Sequence, residues 1–478
     1  MNFNIFIGLE IHLELATKSK MFCSCPNIAD EIRPNFNICE VCTGQPGVLP
    51  VVNKQAVIFA LKLAKALNCQ INKISYFARK NYFYPDLPKN YQISQYDLPL
   101  AFNGNLSFYF NEELKNIRIK RIHLEEDTGK LLHLSNYSLV DFNRSGVPLL
   151  ELVTEPDIKS AEEAKLCVEE LITIIRYLEI SEANPEKGQI RFEANISLST
   201  DNNLGTKVEV KNLGSLKSLK DAINYEIERQ KNLILRGEKI NQETRGFDEK
   251  KRTTFSQRHK ETSEDYRYFP EPDLPFLELD DDFIKSIHLP ELPNQKRERF
   301  IKEYNLSLKE INILTKDRFV SNFYEKTISE LKEEIDNNFE TRFVYNLLVN
   351  DIFGLLEKYN QNLLTINFSP HHFAHLISEY YKGNLNIKLV KKILTEVIEH
   401  NHNVEDLLTK LNKIDDVQEL TKLVEESIEK NSQAVQDYKE GKKNALQFLV
   451  GYIMKKTKGQ VDINILKDLL IKKLEENF

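Results

Sequence analysis

The chain has 478 residues, 41% of them hydrophobic and 29% charged, with a formal net charge of −7. At roughly 150 residues per domain, that length predicts about three domains of a globular protein. The acidic balance excludes a general affinity for nucleic acid, so any RNA contact needs a local basic surface. No apolar run approaches the ~18 residues of a membrane span, and the start MNFNIFIGLE lacks the basic region and cleavage site of a secretory signal. The expected location is cytoplasmic.

In chain order, apolar residues first fall at Phe3, Ile5, Ile7, Leu9, Ile11, Leu13 and Leu15. Strand side chains alternate between faces, so one face is buried and Glu10, His12 and Glu14 share the other. Two readings of that face stand: the solvated side of an antiparallel strand, or a metal or acid/base platform completed by carboxylates from distant segments. Cys23-x-Cys25 and Cys39-x-x-Cys42 follow, with the spacing of a knuckle in which four thiolates surround Zn²⁺. A disulfide pair is the alternative, and it fits poorly with a large chain lacking an export signal. Cys69 and Cys167 read as small buried side chains.

Asn53 to Leu67 has helical spacing, with Val57, Ala60, Leu61, Ala64 and Leu67 on one face. Phe77 to Leu100 packs four tyrosines and three prolines around Arg79, Lys80 and Lys89. It is neither a plain helix nor a central strand, and reads as a binding surface or a Pro-rich connection. Ile117 to Gly129 alternates again, placing Arg121, His123 and Glu125 on one face. It ends in Glu125-Glu126-Asp127, a run that repels itself unless cations neutralise it. Asn143-Arg144-Ser145-Gly146 forms a turn. Glu151 then interrupts the apolar run LLELV, a costly position unless it is paired, metal-bound or at a sheet edge.

Ser160-Ala-Glu-Glu163 has capping-box spacing and opens a helix to about Leu178. Two more alternating strands carry Arg191, Glu193 and Asn195, then Lys207, Glu209 and Lys211, and a helix after Ser215 ends near Gln230. Together these strands predict an antiparallel sheet in an α+β domain, with helices on one side and an open working surface on the other. Gln242 to Pro275 is extended and charged, with Arg245, Arg252, Arg258, Lys260 and Arg267 set either to meet phosphates or to pair with the intervening acids.

Pro290 and Pro293 mark a boundary, beyond which the pattern is helical. The expected division is 1–292, 293–404 and 405–478. Between Lys439 and Lys473 there is an excess of six positive charges, and Lys455, Lys456 and Lys458 precede Gly459, a favourable helix C-terminus. Lys442, Lys443, Lys455, Lys456 and Lys458 are the candidates for nucleic-acid backbone contact.

The segments GLEIHLEL, KNYFYPDLPKNYQISQYDLPL, HLEEDTGK, DFNRSGVPLLELVTEPD, EVKNLGSL, QETRGFD, DYRYFPEPDL and GKKNALQFLVGYIMKKTKGQ span nearly the whole chain. In that order they resemble the B subunit of the tRNA-dependent amidotransferases, which make Gln-tRNA(Gln) or Asn-tRNA(Asn) from misacylated Glu-tRNA(Gln) or Asp-tRNA(Asn). The resemblance implies an antiparallel-sheet cradle catalytic domain with a zinc knuckle near 23–42, an all-α helical domain and a small α-helical tail that binds tRNA. It implies ATP-dependent phosphorylation of the side-chain carboxylate, followed by displacement of phosphate by ammonia. Carried over by position, the catalytic metal ligands fall on Glu10, His12, Glu125 and Glu151. Arg144, Lys80 and Lys211 are candidates to hold ATP phosphates or orient substrate.

Ligand chemistry alone suggests Mn²⁺ or Zn²⁺ for a site containing an imidazole, whereas the resemblance and the use of ATP point to Mg²⁺. Cys23, Cys25, Cys39 and Cys42 match the family's zinc-bearing branch. Departures at Phe192, Glu193, Gly214, Gln257 and His259 lie outside these ligands. The chain has neither a Ser-Ser-Lys amidase segment nor an N-terminal Cys nucleophile. The implied partners are therefore an amidase subunit that supplies ammonia, a small third subunit and the misacylated tRNA, with the Lys80 to Gln95 loop lining part of the ammonia passage. Two other readings are a non-catalytic, zinc-stabilised RNA-binding scaffold and a self-contained metallohydrolase, the latter without a helical His-pair motif to support it.

Overall fold

The computed structural model describes residues 3–28, 31–259, 265–410, 417–442, 444–457, 461 and 463–476. Two compact units, Met1–Lys296 and Arg297–Phe478, divide the chain.

The alternating start forms strand β1 (Asn4–Glu14), whose apolar positions Ile7, Leu9, Ile11 and Leu13 are buried. After the cysteine loop, Asn53 caps helix α1 (Lys54–Ala66) through its side-chain oxygen. Short strands β2 (Gln70–Ile71) and β3 (Ile74–Ser75) follow, and the Tyr- and Pro-rich region then makes β4 (Ala78–Asn81) and β5 (Tyr91–Ser94). Next come β6 (Ala101–Phe110), β7 (Glu113–Glu126), the hairpin β8 (Lys130–His133) and β9 (Ser138–Asp141), and β10 (Pro148–Thr154). Helix α2 (Ala161–Tyr177) starts at Ser160, which accepts from Glu163 N; the Glu163 carboxylate reaches back to Lys159 N–H, one residue beyond the expected box. The first unit continues with β11 (Ile190–Ser199), β12 (Val208–Leu213), helix α3 (Leu216–Leu235), β13 (Glu243–Asp248), β14 (Thr253–His259), β15 (Phe269–Pro270) and β16 (Leu277–Glu278).

Nine of these strands form one sheet in the order β14-β13-β12-β11-β1-β10-β7-β6-β2. The expected antiparallel pairing holds except that β12 and β13 run parallel. Helix α3 lies between them in the chain and returns it to the starting end, as a parallel pair requires. That helix also runs past Gln230 to Leu235. Gln230 is buried and bonds the backbone of β11 at Ile196 and Leu198, and the stop comes at Gly237, which takes φ +70°. Glu151 is not at a sheet edge, because β10 sits between β1 and β7.

The alternate residues of β1, β7, β10 and β11 that point away from Glu10 join the buried faces of α1, α2 and α3 in one apolar core. Burying that face is what holds the register: a slip of one residue would turn Ile7, Leu9, Ile11 and Leu13 outward.

The second unit is helical and holds two apolar clusters. One gathers residues from Phe300 to Val404, with Leu407 and Leu408 packed against it. The other runs from Leu420 to Leu474 and is built by helices Val417–Lys430, Ser432–Lys439, Asn444–Lys456 and Ile463–Glu476. Lys260, Lys443 and Lys458 lie outside the described residues. No described helix is long and apolar enough to cross a membrane.

Candidate functional site

Pairing across the sheet sets the site. In β1, His12 is opposite Glu151 of β10, and Glu151 is opposite His123 of β7. One step along, Glu10 is opposite Glu193 of β11, while Glu209 of β12 is opposite Asn195. Directly opposed strand residues stand about 5 Å apart at Cβ, so register alone gathers these groups on one face.

His12 Nε2 lies 3.4 Å from Glu151 Oε2, 3.7 Å from Glu125 Oε1 and 3.9 Å from Glu10 Oε1. His123 Nε2 lies 3.4 Å from the same Glu151 oxygen and 3.8 Å from Glu125 Oε2. Two donor triads, Glu10–His12–Glu151 and His123–Glu125–Glu151, therefore share Glu151, and each has all its ligand atoms within 4.8 Å of one another. A third triad of Glu10, Glu193 and Glu209 adjoins them, with Lys211 Nζ 2.9 Å from Glu193 and 3.8 Å from Glu209.

Crowding and burial perturb these groups. Burial, reinforced by Glu151 and Glu193, pushes the Glu10 carboxyl up to about 7. Burial opposes protonation of His12, but its hydrogen bond to Glu151 and the nearby carboxylates of Glu151, Glu125 and Glu193 outweigh it and raise the imidazole to about 9. Burial also opposes ionisation of Glu151, yet His123, His12 and Arg121 hold it well below the usual carboxylate range. Glu125, only 2% exposed, is likewise lowered against burial by its hydrogen bond with His123 and by Lys80 and His12. So many carboxylates beside two imidazoles, with His123 Nδ1 buried and unbonded, make a donor set suited to a divalent cation.

The expected open face is in part roofed. Lys80 of β4, Ser94, Gln95 and Tyr96 from one side and Tyr266 and Tyr268 from another line the cavity over Glu125 and Glu151. Ser94 Oγ donates to Glu125 at 3.2 Å, and Tyr96 stacks on Tyr268 at 4.2 Å between ring centres. Lys80 stays cationic: burial works against it, and Glu125, Tyr268 and Glu151 more than compensate. Lys211 is raised in the same way by Glu193 and Glu209.

The Glu125-Glu126-Asp127 run avoids self-repulsion because alternation turns Glu126 away from Glu125 and basic groups meet Glu126 and Asp127. Glu126 meets Lys89 at 2.6 Å, and Asp127 meets Arg191 at 2.8 Å and Arg144 at 3.6 Å. Arg144 donates to Thr128 O and Gly129 O, so its guanidinium braces the turn after β7 and is absent from the cavity lining. Glu14 belongs to this neighbourhood, raised to about 7 by burial and by Asp127.

The four cysteines come together: the sulfurs of Cys23, Cys25, Cys39 and Cys42 lie within 4.8 Å of one another, and none is in a disulfide. A tetrahedron with Zn–S near 2.3 Å has edges of about 3.8 Å, so the set fits zinc. The Cys42 thiol is pulled down to about 5 by a hydrogen bond from Cys23, then by Cys39 N–H and Lys20, against burial. Cys25 is pushed up to about 12, mainly by burial and by Cys39.

In the second unit, Lys442 pairs with Asp437 at 2.9 Å and Glu440 at 3.1 Å, and Lys456 pairs with Glu426. Lys455 is exposed in the last turn of its helix. Of the arginines of the extended segment, Arg245 pairs within it, with Glu243, whereas Arg252 pairs with Asp221 of α3.

His123, Arg121, Glu193 and Glu209 extend the site beyond the ligands expected from sequence. Alternation had put each on a polar face, but nothing local distinguished them from solvated residues. Tyr266 and Tyr268 carried no such signal, because their position depends on β15 pairing with β4, far away in sequence.

Residues 5–285 match the family model described as the GatB/GatE catalytic domain, and residues 323–474 match the GatB domain. The aspartyl/glutamyl-tRNA(Asn/Gln) amidotransferase B subunit of Thermotoga maritima is 44% identical over 488 residues, covering 99% of this chain and 100% of the relative. The B subunit of Geobacillus kaustophilus is 45% identical over 481 residues, covering 99% of each chain. That of Persephonella marina is 42% identical over 476 residues, covering 98% of this chain and 99% of the relative.

Proposed function

The chain belongs to the family of aspartyl/glutamyl-tRNA(Asn/Gln) amidotransferase B subunits, and from that membership we propose that its carboxylate and imidazole cavity activates the side-chain carboxylate of a misacylated Glu-tRNA(Gln) or Asp-tRNA(Asn). The protein is a tRNA-dependent amidotransferase subunit. The observation that carries the reading is the convergence of Glu10, Glu125 and Glu151 on one nitrogen of His12.

A free carboxylate is a poor acyl donor. In the proposed first step a carboxylate oxygen of the aminoacyl group attacks the γ-phosphorus of ATP and ADP leaves. Ammonia then attacks the acyl phosphate carbon, the C–O bond to phosphate breaks with its electron pair leaving on phosphate, and the ammonium nitrogen loses one proton to give the amide. Phosphoryl transfer depends on positioning and charge neutralisation more than on covalent help. A divalent ion, taken as Mg²⁺, would be held by Glu10, His12, Glu125 and Glu151 and would supply that neutralisation.

Lys80 and Lys211, kept charged by their acidic neighbours, offset developing negative charge on phosphate oxygens. Arg144 acts one layer away, by fixing the turn behind Asp127. Tyr96 and Tyr268 exclude water from the acyl phosphate, which water would otherwise hydrolyse.

The remaining assignments rest on the same membership. Structural zinc sits in the four-cysteine knuckle; ammonia comes from an amidase subunit, with a small third subunit completing the complex. The region 405–478 contacts tRNA through Lys442, Lys443, Lys455, Lys456 and Lys458, separate from the catalytic region 1–292 and the helical region 293–404. Work on aminoacyl-tRNA belongs to the cytoplasm. The test is single-turnover amidation by the reconstituted complex with ATP, glutamine and misacylated tRNA. Glu10→Ala and Glu125→Ala are expected to lose both cation binding and amide formation; variants that lose the cation and still form amide would reject the reading.

A further inference from the structure

Lys20 stands against the cysteine cluster and is 0% exposed. Its ammonium donates to Cys42 Sγ at 3.7 Å and to Phe142 O at 3.3 Å, and among the described residues no carboxylate reaches it. A neutral carbonyl and a thiol do not sustain a buried ammonium; it needs an anion. Four thiolates around Zn²⁺ form a net dianion, of which Cys25 and Cys42 are the buried members. The unmatched cation and the excess negative charge therefore stand side by side.

We infer that Lys20 is the built-in counter-ion of the four-cysteine metal centre, setting its zinc affinity and lowering the reactivity of its thiolates. This rests on the zinc reading above. Hydrogen bonds hold the main chain around Lys20 against the cysteine loop and the Ser145–Gly146 turn. Lys20 N–H donates to Cys25 O at 2.9 Å, Met21 N–H donates to Gly146 O at 2.7 Å, and Ser145 Oγ donates to Cys42 O at 3.2 Å. Gly146 takes φ +84° there, and a Cβ on it would meet Cys42 Cβ at 3.4 Å and Lys20 Cδ at 3.5 Å, so the turn closes directly over the Lys20 stem. A cation donating to a thiolate offsets the negative charge of the metal-bound set, which favours its retention, and occupies a sulfur lone pair, which slows attack on an electrophile.

The test strips full-length wild type, Lys20→Met, Lys20→Arg and Cys39→Ser, then reconstitutes each with Co²⁺ or Zn²⁺ in competition with a chromophoric chelator. Wild type and Lys20→Met are expected to share the same tetrahedral thiolate–Co²⁺ bands, because the ligands are unchanged. Zinc affinity in Lys20→Met falls about 10- to 100-fold, and iodoacetamide alkylates its zinc-loaded thiolates faster. Lys20→Arg, keeping the charge, recovers most of both. A Lys20→Met affinity within twofold of wild type at an unchanged alkylation rate overturns the inference. Should circular dichroism show Lys20→Met unfolded, Lys20→Arg decides: near-wild-type affinity supports the counter-ion role, and a hundredfold loss rejects it. Missing Co²⁺ bands in wild type would instead reject zinc at this knuckle, whatever Lys20 does.

Discussion

The carboxylate cavity and the cysteine knuckle both gather metal-binding groups, but by opposite means. Glu10, Glu125 and Glu151 come from β1, β7 and β10, and hydrogen-bonded register places them without help from any ion. Cys23, Cys25, Cys39 and Cys42 sit in irregular chain between β1 and α1, with few backbone bonds of their own. The first site is preorganised by the sheet, whereas the second, on the zinc reading proposed above, is expected to draw part of its local order from its ligand. A metal missing from the cavity should abolish chemistry and spare the fold; a metal missing from the knuckle should loosen structure first.

The sharpest way to break this contrast pairs Glu151→Ala with Cys39→Ser. Glu151→Ala is expected to slow amidation by about 10²- to 10³-fold, the scale of losing one charge-stabilising group. Hydrogen-exchange protection of β1 and β10 should remain, since the strand ladder is untouched. Cys39→Ser should do the reverse, with protection lost around residues 19–53 and a smaller loss of rate. Equal loss of protection at both places would show that the cavity is no more preorganised than the knuckle.

A second test uses pH. Glu10 at about 7 and His12 at about 9 must each shed a proton before binding a cation. Mn²⁺ or Mg²⁺ affinity is therefore expected to rise from pH 6 to 9, by up to about tenfold per unit for each proton released. Both groups sit above their ordinary values of 4.5 and 6.5, so the metal-free fold binds more protons than the unfolded chain and loses stability as pH rises through those windows. Calorimetric affinity and melting temperature measured across the range check the sign; affinity independent of pH would count against these ligands.

The smallest effect is expected at Asn143. Its side chain accepts from Phe36 N–H and Asn37 N–H, each at 2.8 Å, and donates to Arg33 O at 2.7 Å, tying the cysteine loop to the turn before β10. Asn143→Ala should cost about 1 kcal/mol per hydrogen bond at most, less where solvent replaces it. Weaker zinc retention with unchanged cation binding in the cavity would sharpen the contrast, and parallel losses would blur it.

Much of the cavity was legible before the fold was known. The alternation around Glu10 and His12 marked a polar face, and Glu151 inside LLELV was an anomaly asking for a partner. Sequence spacing was less informative about Glu14, which shares the face yet answers to Asp127 and Arg191. Arg144 lies in a motif of the family and is not among the residues lining the cavity; its guanidinium donates to Thr128 O and Gly129 O. The parallel β12–β13 pair was hidden, since strand direction depends on where α3 returns the chain.

What sequence alone determined is local chemistry: a period of two that separates polar from apolar faces, and two cysteine pairs close enough along the chain to share one ion. Both follow from covalent geometry over a few residues. What only the tertiary structure decided is company. Which strand lies beside β1, and in which register, depends on burying one core among residues from Ile7 to Ile287. That nonlocal balance aligns Glu151 with His12, brings Glu193 and Glu209 alongside, and leaves Lys20 buried against sulfur.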